Sequence, residues 1–135
     1  MTIKAHPQKT THTYLVSYPD HEPRKSDPHY RAYRRRTHKT AKCAFAVRIG
    51  NFTECAGPLE LHHAHVEFAL QNGIDLTVLE RDYPGISNPD KIGQWVESAD
   101  NLIYYCAFHH RGHGGVHCAS SADFEASHYV RGLIS

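Results

Sequence analysis

No apolar run in the 135 residues approaches the roughly 20 that a membrane-spanning helix needs, and Met1 to Thr13 contains no hydrophobic signal core. The expectation is a soluble, cytoplasmic protein with no membrane partner. Net charge is almost absent, at +1, and cysteine is scarce, at four residues against thirteen histidines. In a reducing compartment so few thiols point to metal ligation rather than to disulfides. Length is short too, which excludes a second full core and leaves room for one small domain and an arm.

The small net charge conceals an asymmetry. Residues 1–42 hold ten Lys/Arg and three acids, a balance of +7, whereas residues 43–135 hold five Lys/Arg and eleven acids, a balance of −6. A basic arm on an acidic body suits a polyanionic partner held by the arm, with a solvated tail as the competing reading.

Residues 1–29 contain Pro7, Pro19, Pro23 and Pro28 and only a short Tyr14-Leu15-Val16 apolar patch, so no periodic face can be drawn and a loosely docked arm is expected. From Tyr30 to Lys42 the basic residues interleave with Tyr30, Tyr33 and His38 without Pro or Gly, which suggests a short helix. Phe45, Val47 and Ile49 alternate, predicting a strand within Cys43–Cys55 that turns at Gly50-Asn51. Leu59 and Leu61 lead into His62-His63 as a second strand. His63–Asn72 lacks breakers and reads as a helix ending at Gly73. Residues 74–79 fit strand or helix equally.

Asn88-Pro89 predicts an N-cap and a first helical residue, opening a helix through Glu97 with Ile92, Trp95 and Val96 facing inward. Trp95 and Tyr83 could stack on bases, but aromatics in a helix-period pattern more often belong to the core, and neither is assigned to the site. Asn101–Tyr105 reads as a strand and Cys106–Arg111 as a helix start that Gly112, Gly114 and Gly115 end. Ser120 followed by Asp123 opens a final helix, with Phe124 to Leu133 packing on the body. The fold class is α+β.

Two clusters bear the chemistry. His62-His63 sits at a strand end, where adjacent side chains point in different directions, so one ring can bind a metal while the other faces a substrate. Cys106-Ala-Phe-His109-His110 supplies three candidate ligands within five residues, a density costly to bury without a metal or hydrogen bonds to satisfy it.

The ordered strings Leu59-Glu60-Leu61-His62-His63, then Asn101-Leu102-Ile103, then Cys106-x-x-His109-His110 resemble the HNH endonuclease family and its ββα-metal (His-Me finger) fold. They are most similar to the small HNH proteins of tailed bacteriophages of actinobacteria. That resemblance covers about residues 43–118, with an insertion at about 73–99, the arm at 1–42 lying outside it and 119–135 supplying the last helix. It implies a DNA-cleaving enzyme, phage-encoded and acting in the host cytoplasm, with packaging proteins as possible partners.

Carried over by position, His62 is a ligand of a catalytic divalent ion (Mg²⁺, Mn²⁺, Ni²⁺ or Zn²⁺), His63 the general base, Asn101 the residue that holds the active-site loop and orients His63, and His110 the helix ligand. A neutral imidazole can take a proton from water near neutral pH, and a divalent ion stabilises charge on phosphate. For the third ligand His113 and His65 compete with His117, which the run His110-Arg-Gly-x-Gly-Gly-x-His117 favours by its similarity to the phage proteins.

The resemblance also implies a structural zinc, here from Cys43, Cys55, Cys106 and His109. The wide spacing of Cys43 and Cys55 departs from the family's Cys-x-x-Cys pattern. Cys118 is the alternative fourth ligand, and simple buried thiols are the alternative to a site. Arg34, Arg35 and Arg36 are the candidate phosphate contacts for DNA, with ordinary solvation as their competing reading.

Overall fold

Two antiparallel strands, β1 (Leu59–His63) and β2 (Leu102–Cys106), form the sheet in the computed structural model, which describes residues 1–23 and 28–135. Leu61 lies opposite Tyr104, His62 opposite Ile103 and His63 opposite Leu102. Side chains alternate across a strand. Glu60 and His62 therefore share one face with Ile103 and Tyr105, whereas Leu61 and His63 share the other with Leu102 and Tyr104. Around this sheet lie helices α1 (Pro28–Thr37), α2 (Ala44–Ile49), α3 (Leu76–Asp82), α4 (Pro89–Val96), α5 (Ala107–Arg111) and α6 (Ser121–Ser127), and a 3-10 helix over Phe68–Gly73. The class is α+β. Among the described residues no helix is long and apolar enough to cross a membrane.

The strand expected within Cys43–Cys55 is instead α2. Ala44 before Phe45 and Ala46 between Phe45 and Val47 add apolar positions to the alternation, so the run satisfies both a strand and a helix period. Burial follows the helix: Phe45 and the fully buried Ala46 face the core, Ile49 one turn later is partly covered, and Val47 is 55% exposed. Gly50-Asn51 is accordingly a helix terminus rather than a hairpin turn. Gly50 adopts φ 71° and donates its N–H back to Ala46 and Val47, a left-handed cap that suits glycine.

The helix expected over His63–Asn72 is also replaced. β1 runs through His63, the chain bends, and the 3-10 helix starts at Phe68. The Asn101 side chain accepts from the N–H groups of His65 and Val66 and donates to the Val66 carbonyl, tying up backbone in a non-helical bend. The undecided stretch after Gly73 becomes α3, capped by Asp75, whose carboxylate accepts from Thr77 and Val78. Asn88 caps α4 through Asp90 N–H, and Ser120 caps α6 through Asp123 N–H. That last helix stops at Ser127, short of Leu133, where the Ser127 hydroxyl turns back onto the Phe124 carbonyl.

Two apolar clusters hold these pieces. Cys43, Phe45, Ala46, Tyr105, Cys106 and Phe124 form one; Phe68, Leu79, Trp95 and Val96 form the other. The first joins α2 and α6 to β2, reinforced by Arg48 reaching Glu125 and Tyr129. The second is built wholly from the segment between His63 and Asn101. Basic α1 ends at Thr37, before Lys42, and docks through Thr37 Oγ1 to the Tyr104 hydroxyl at 2.8 Å, with Tyr30 stacked 6.3 Å from the His63 ring. Residues 1–18 are exposed and carry no regular structure, and the part of the expected arm at residues 24–27 lies outside the described residues.

Candidate metal centres

Cys43, Cys55, Cys106 and His109 come from four places: the N-cap of α2, the loop after it, the end of β2 and the body of α5. Their ligand atoms lie within 4.8 Å of one another. His109 Nδ1 is 3.2 Å from Cys106 Sγ, 3.6 Å from Cys43 Sγ and 3.9 Å from Cys55 Sγ. Tetrahedral zinc, with bonds of about 2.3 Å to sulfur and about 2.0 Å to nitrogen, calls for nitrogen–sulfur separations of about 3.5 Å. The donor set can hold an ion such as zinc.

Electrostatics agree with that fit. Burial, and then the neighbouring Cys106 and Cys43, push the Cys55 thiol up to about 12, because three sulfurs converge without a countercharge. At Cys106 burial acts upward, but hydrogen bonds from the backbone of His109 and Ala56 and from the Cys55 and Cys43 thiols together bring the thiol below its ordinary value. A divalent cation bound there would supply a countercharge to the sulfurs. Phe45 closes the site by stacking on His109 at 4.0 Å. Cys118 stands apart, exposed and hydrogen-bonded to the Arg111 carbonyl.

On the Glu60 face of the sheet a second group converges. His62 from β1, His110 from α5 and His117 from the following loop place ring nitrogens within 4.8 Å of one another. Ring centroids are 5.4 Å apart for His62 and His110, 4.9 Å for His62 and His117, and 4.7 Å for His110 and His117. His62 Nδ1 is buried and has no hydrogen-bond partner among the described residues, a condition a buried imidazole seldom keeps unless a ligand completes it. Burial and the adjacent His117 and His110 lower the His62 pKa to about 4, which keeps its ring neutral and able to ligate. His117 is lowered for the same reasons.

Glycines bring His117 back to the site. A Cβ at Gly115 would sit 2.7 Å from the His110 carbonyl carbon, and one at Gly112 would sit 2.7 Å from the Phe108 oxygen. The chain thus folds against the end of α5, with Val116 N–H donating to His109 and His117 N–H to His110. His113 and His65 are exposed and do not join the group.

Glu60 was not singled out from sequence. Its Oε1 lies 2.8 Å from His110 Nδ1, leaving Nε2 as the nitrogen available to an ion, and Arg111 clasps the same carboxylate. Arg111 and then His110 hold the Glu60 carboxyl down at about 2 against the opposing effect of burial. The available sign was its position two residues before His62, on the same strand face.

Across the sheet, Asn101 is fully buried and its amide serves four backbone groups: His65 N–H, Val66 N–H, Val66 carbonyl and Val96 carbonyl. It holds the loop after His63, but the group that meets the His63 ring is Glu97, 2.9 Å from Nε2. The His63 side chain is only 3% exposed, with Nδ1 facing Glu67 at 3.7 Å. Arg34, Arg35 and Arg36 are all exposed on α1. Of the three, Arg34 lines a groove of about 360 Å³ that also reaches Arg111, Glu60 and His110. Comparison with protein-family models, with curated proteins and with solved structures yields no match.

Proposed function

We propose that this chain is an HNH-type endonuclease that hydrolyses DNA phosphodiester bonds, with β1, β2 and α5 serving as its ββα-metal core. The observation that carries this reading is the meeting of His62, His110 and His117 on one face of β1 while His63, the next residue, projects from the other. A simple folding site for zinc would need the Cys43, Cys55, Cys106 and His109 set only. An ion bound there would stabilise negative charge on the scissile phosphate and the leaving oxygen.

The chain's own residues divide the remaining work. His63 accepts at Nδ1 the proton of the water whose oxygen bonds to phosphorus as the leaving oxygen departs. Asn101 fixes the loop that follows the base. Glu60 sets the rotation of His110, and Arg34 and Arg111 line the groove along which a phosphate backbone approaches. The Cys43, Cys55, Cys106 and His109 group holds a structural zinc that fastens α2 to the sheet. Phage origin and a place beside packaging proteins follow from the resemblance alone.

One observation favours a second reading, a zinc-stabilised DNA-binding or phage-assembly module that does not cut. His63 is enclosed by Tyr30 and Glu97, which restricts access for water. Incubation of supercoiled plasmid with the protein and Mg²⁺, Mn²⁺, Ni²⁺ or Zn²⁺ separates the two. Nicking or linearisation by wild type, slowed about 10²- to 10⁴-fold in His63→Ala, is the expected result. DNA binding without cleavage under every metal would replace the enzyme by the module.

A further inference from the structure

Glu97 is a buried acid for which the sequence offered no role. Its side chain is 0% exposed, and Oε1 lies 2.9 Å from His63 Nε2. Oε2 is buried with no hydrogen-bond partner among the described residues. An acid in that condition is expensive to keep, and an apolar side chain of similar volume would serve packing as well or better. A carboxyl group at that point offers what an apolar side chain cannot, a hydrogen-bond acceptor for His63 Nε2.

The backbone on both sides of Glu97 is pinned. It caps the C-terminus of α4, whose preceding residues Trp95 and Val96 are anchored in the second apolar cluster. The Val96 carbonyl accepts from the Asn101 amide, and Ser98 N–H returns to the Trp95 carbonyl. The anchored end of α4 thus brings one carboxyl group to one ring nitrogen.

We propose that Glu97 is the positioning residue for His63: by accepting a hydrogen bond from Nε2–H it fixes the ring's rotation and tautomer and leaves the Nδ1 lone pair free. This rests on the nuclease reading of the same site for its consequence, though not for its geometry. A neutral imidazole carries one N–H, and a carboxylate that accepts it decides which nitrogen remains the acceptor. The same partition underlies acid–histidine pairs in catalytic triads, where the acid orients the ring without itself reacting. Among the described residues Glu67 faces Nδ1, and at 3.7 Å it lies beyond hydrogen-bond range.

The test uses the full zinc-loaded chain. Nitrogen NMR of wild type at one fixed pH, without added paramagnetic metal, is expected to show His63 protonated on Nε2. A proton on Nδ1 overturns the proposal, whatever any variant does. In Glu97→Gln, which preserves volume, the ring is expected to become a mixture of tautomers. With plasmid and Mn²⁺, kcat should fall about 10- to 100-fold with KM within about twofold, the range typical of orienting partners. Glu97→Asp, with the carboxyl restored on a shorter stem, should recover part of both readouts and stands in should the Gln variant fail to fold. An unchanged tautomer and kcat in folded Glu97→Gln would overturn the proposal. If wild type cleaves nothing under any metal, the nuclease reading fails by itself, and the tautomer measurement alone decides the role of Glu97.

Discussion

Asn101 shows how much one side chain can do when every polar atom is placed. Its carbonyl oxygen takes two N–H groups and its amide gives to two carbonyls, so truncation would strand four buried or half-buried backbone groups. Asn101→Ala should cost about 2–4 kcal/mol of unfolding free energy, given roughly 1 kcal/mol net per hydrogen bond and more for each buried group left alone. Urea denaturation checks this, and a loss below about 1 kcal/mol would mean the loop is held by other contacts.

His62 gives the pH dependence. Its folded pKa, about 4, lies below the ordinary 6.5, so in that interval the unfolded chain binds the proton more readily. Stability of the metal-free protein should be complete above about pH 6.5 and decline as pH falls toward 4. His117 and His109 are shifted downward as well and act in the same direction. Thermal unfolding in chelator at pH 7.5 and pH 5 tests the sign, and equal melting temperatures would contradict it. The histidines and cysteines were legible as candidates because close spacing makes them conspicuous. Glu60 and Glu97 were not, because a single acid on an amphipathic segment looks the same in sequence whether it meets water or an imidazole.

At the scale of elements, what could be read depended on whether one period dominated. β1, β2 and the caps at Asn88 and Ser120 follow from local chemistry that tertiary contacts do not override. α2 was misread because its apolar run fits two periods, and only contact with Phe124, Tyr105 and His109 favours the helix. The bend after His63 was invisible because its cause, Asn101, lies 38 positions along the chain from that residue.

The His110–His117 loop is the element on which the three-histidine group most depends. Its tight return requires that Gly115 lack a Cβ, since the atoms that a methyl would meet are backbone and cannot swing aside. Gly115→Ala should displace His117 and weaken metal binding at His62 and His110 by about 10-fold or more, the scale of losing geometric support for a ligand. Metal binding at the Cys43, Cys55, Cys106 and His109 set should be unchanged. Calorimetric titration with Zn²⁺ or Ni²⁺ distinguishes the sites, and wild-type affinity at both would show that the loop has room to spare.

For the whole molecule, the sheet acts as a partition with different chemistry on its two faces. Glu60 and His62 meet α5 and its loop on one side, while His63 meets α1 and the end of α4 on the other. Two consecutive residues at the end of β1 thus have different neighbours and do not compete for space. The charge asymmetry takes a definite form: α1 carries the exposed arginines and is docked on the sheet, so Arg34 borders the groove that leads to His110. The two candidate metal centres differ in kind. The Cys43, Cys55, Cys106 and His109 set offers four donors, the number that a structural zinc takes, whereas the three histidines would leave positions open on an ion, as the proposed hydrolysis needs.

That difference can be weighed directly by native mass spectrometry of wild type, His110→Ala and Cys43→Ser, before and after brief chelation. Wild type should carry two ions, one removed readily and one retained. His110→Ala should lose only the labile ion, and Cys43→Ser the retained one, together with much of the fold. A single ion in wild type, or one that disappears with His110 and leaves the cysteine set empty, would contradict the two-centre arrangement on which the proposed hydrolysis depends.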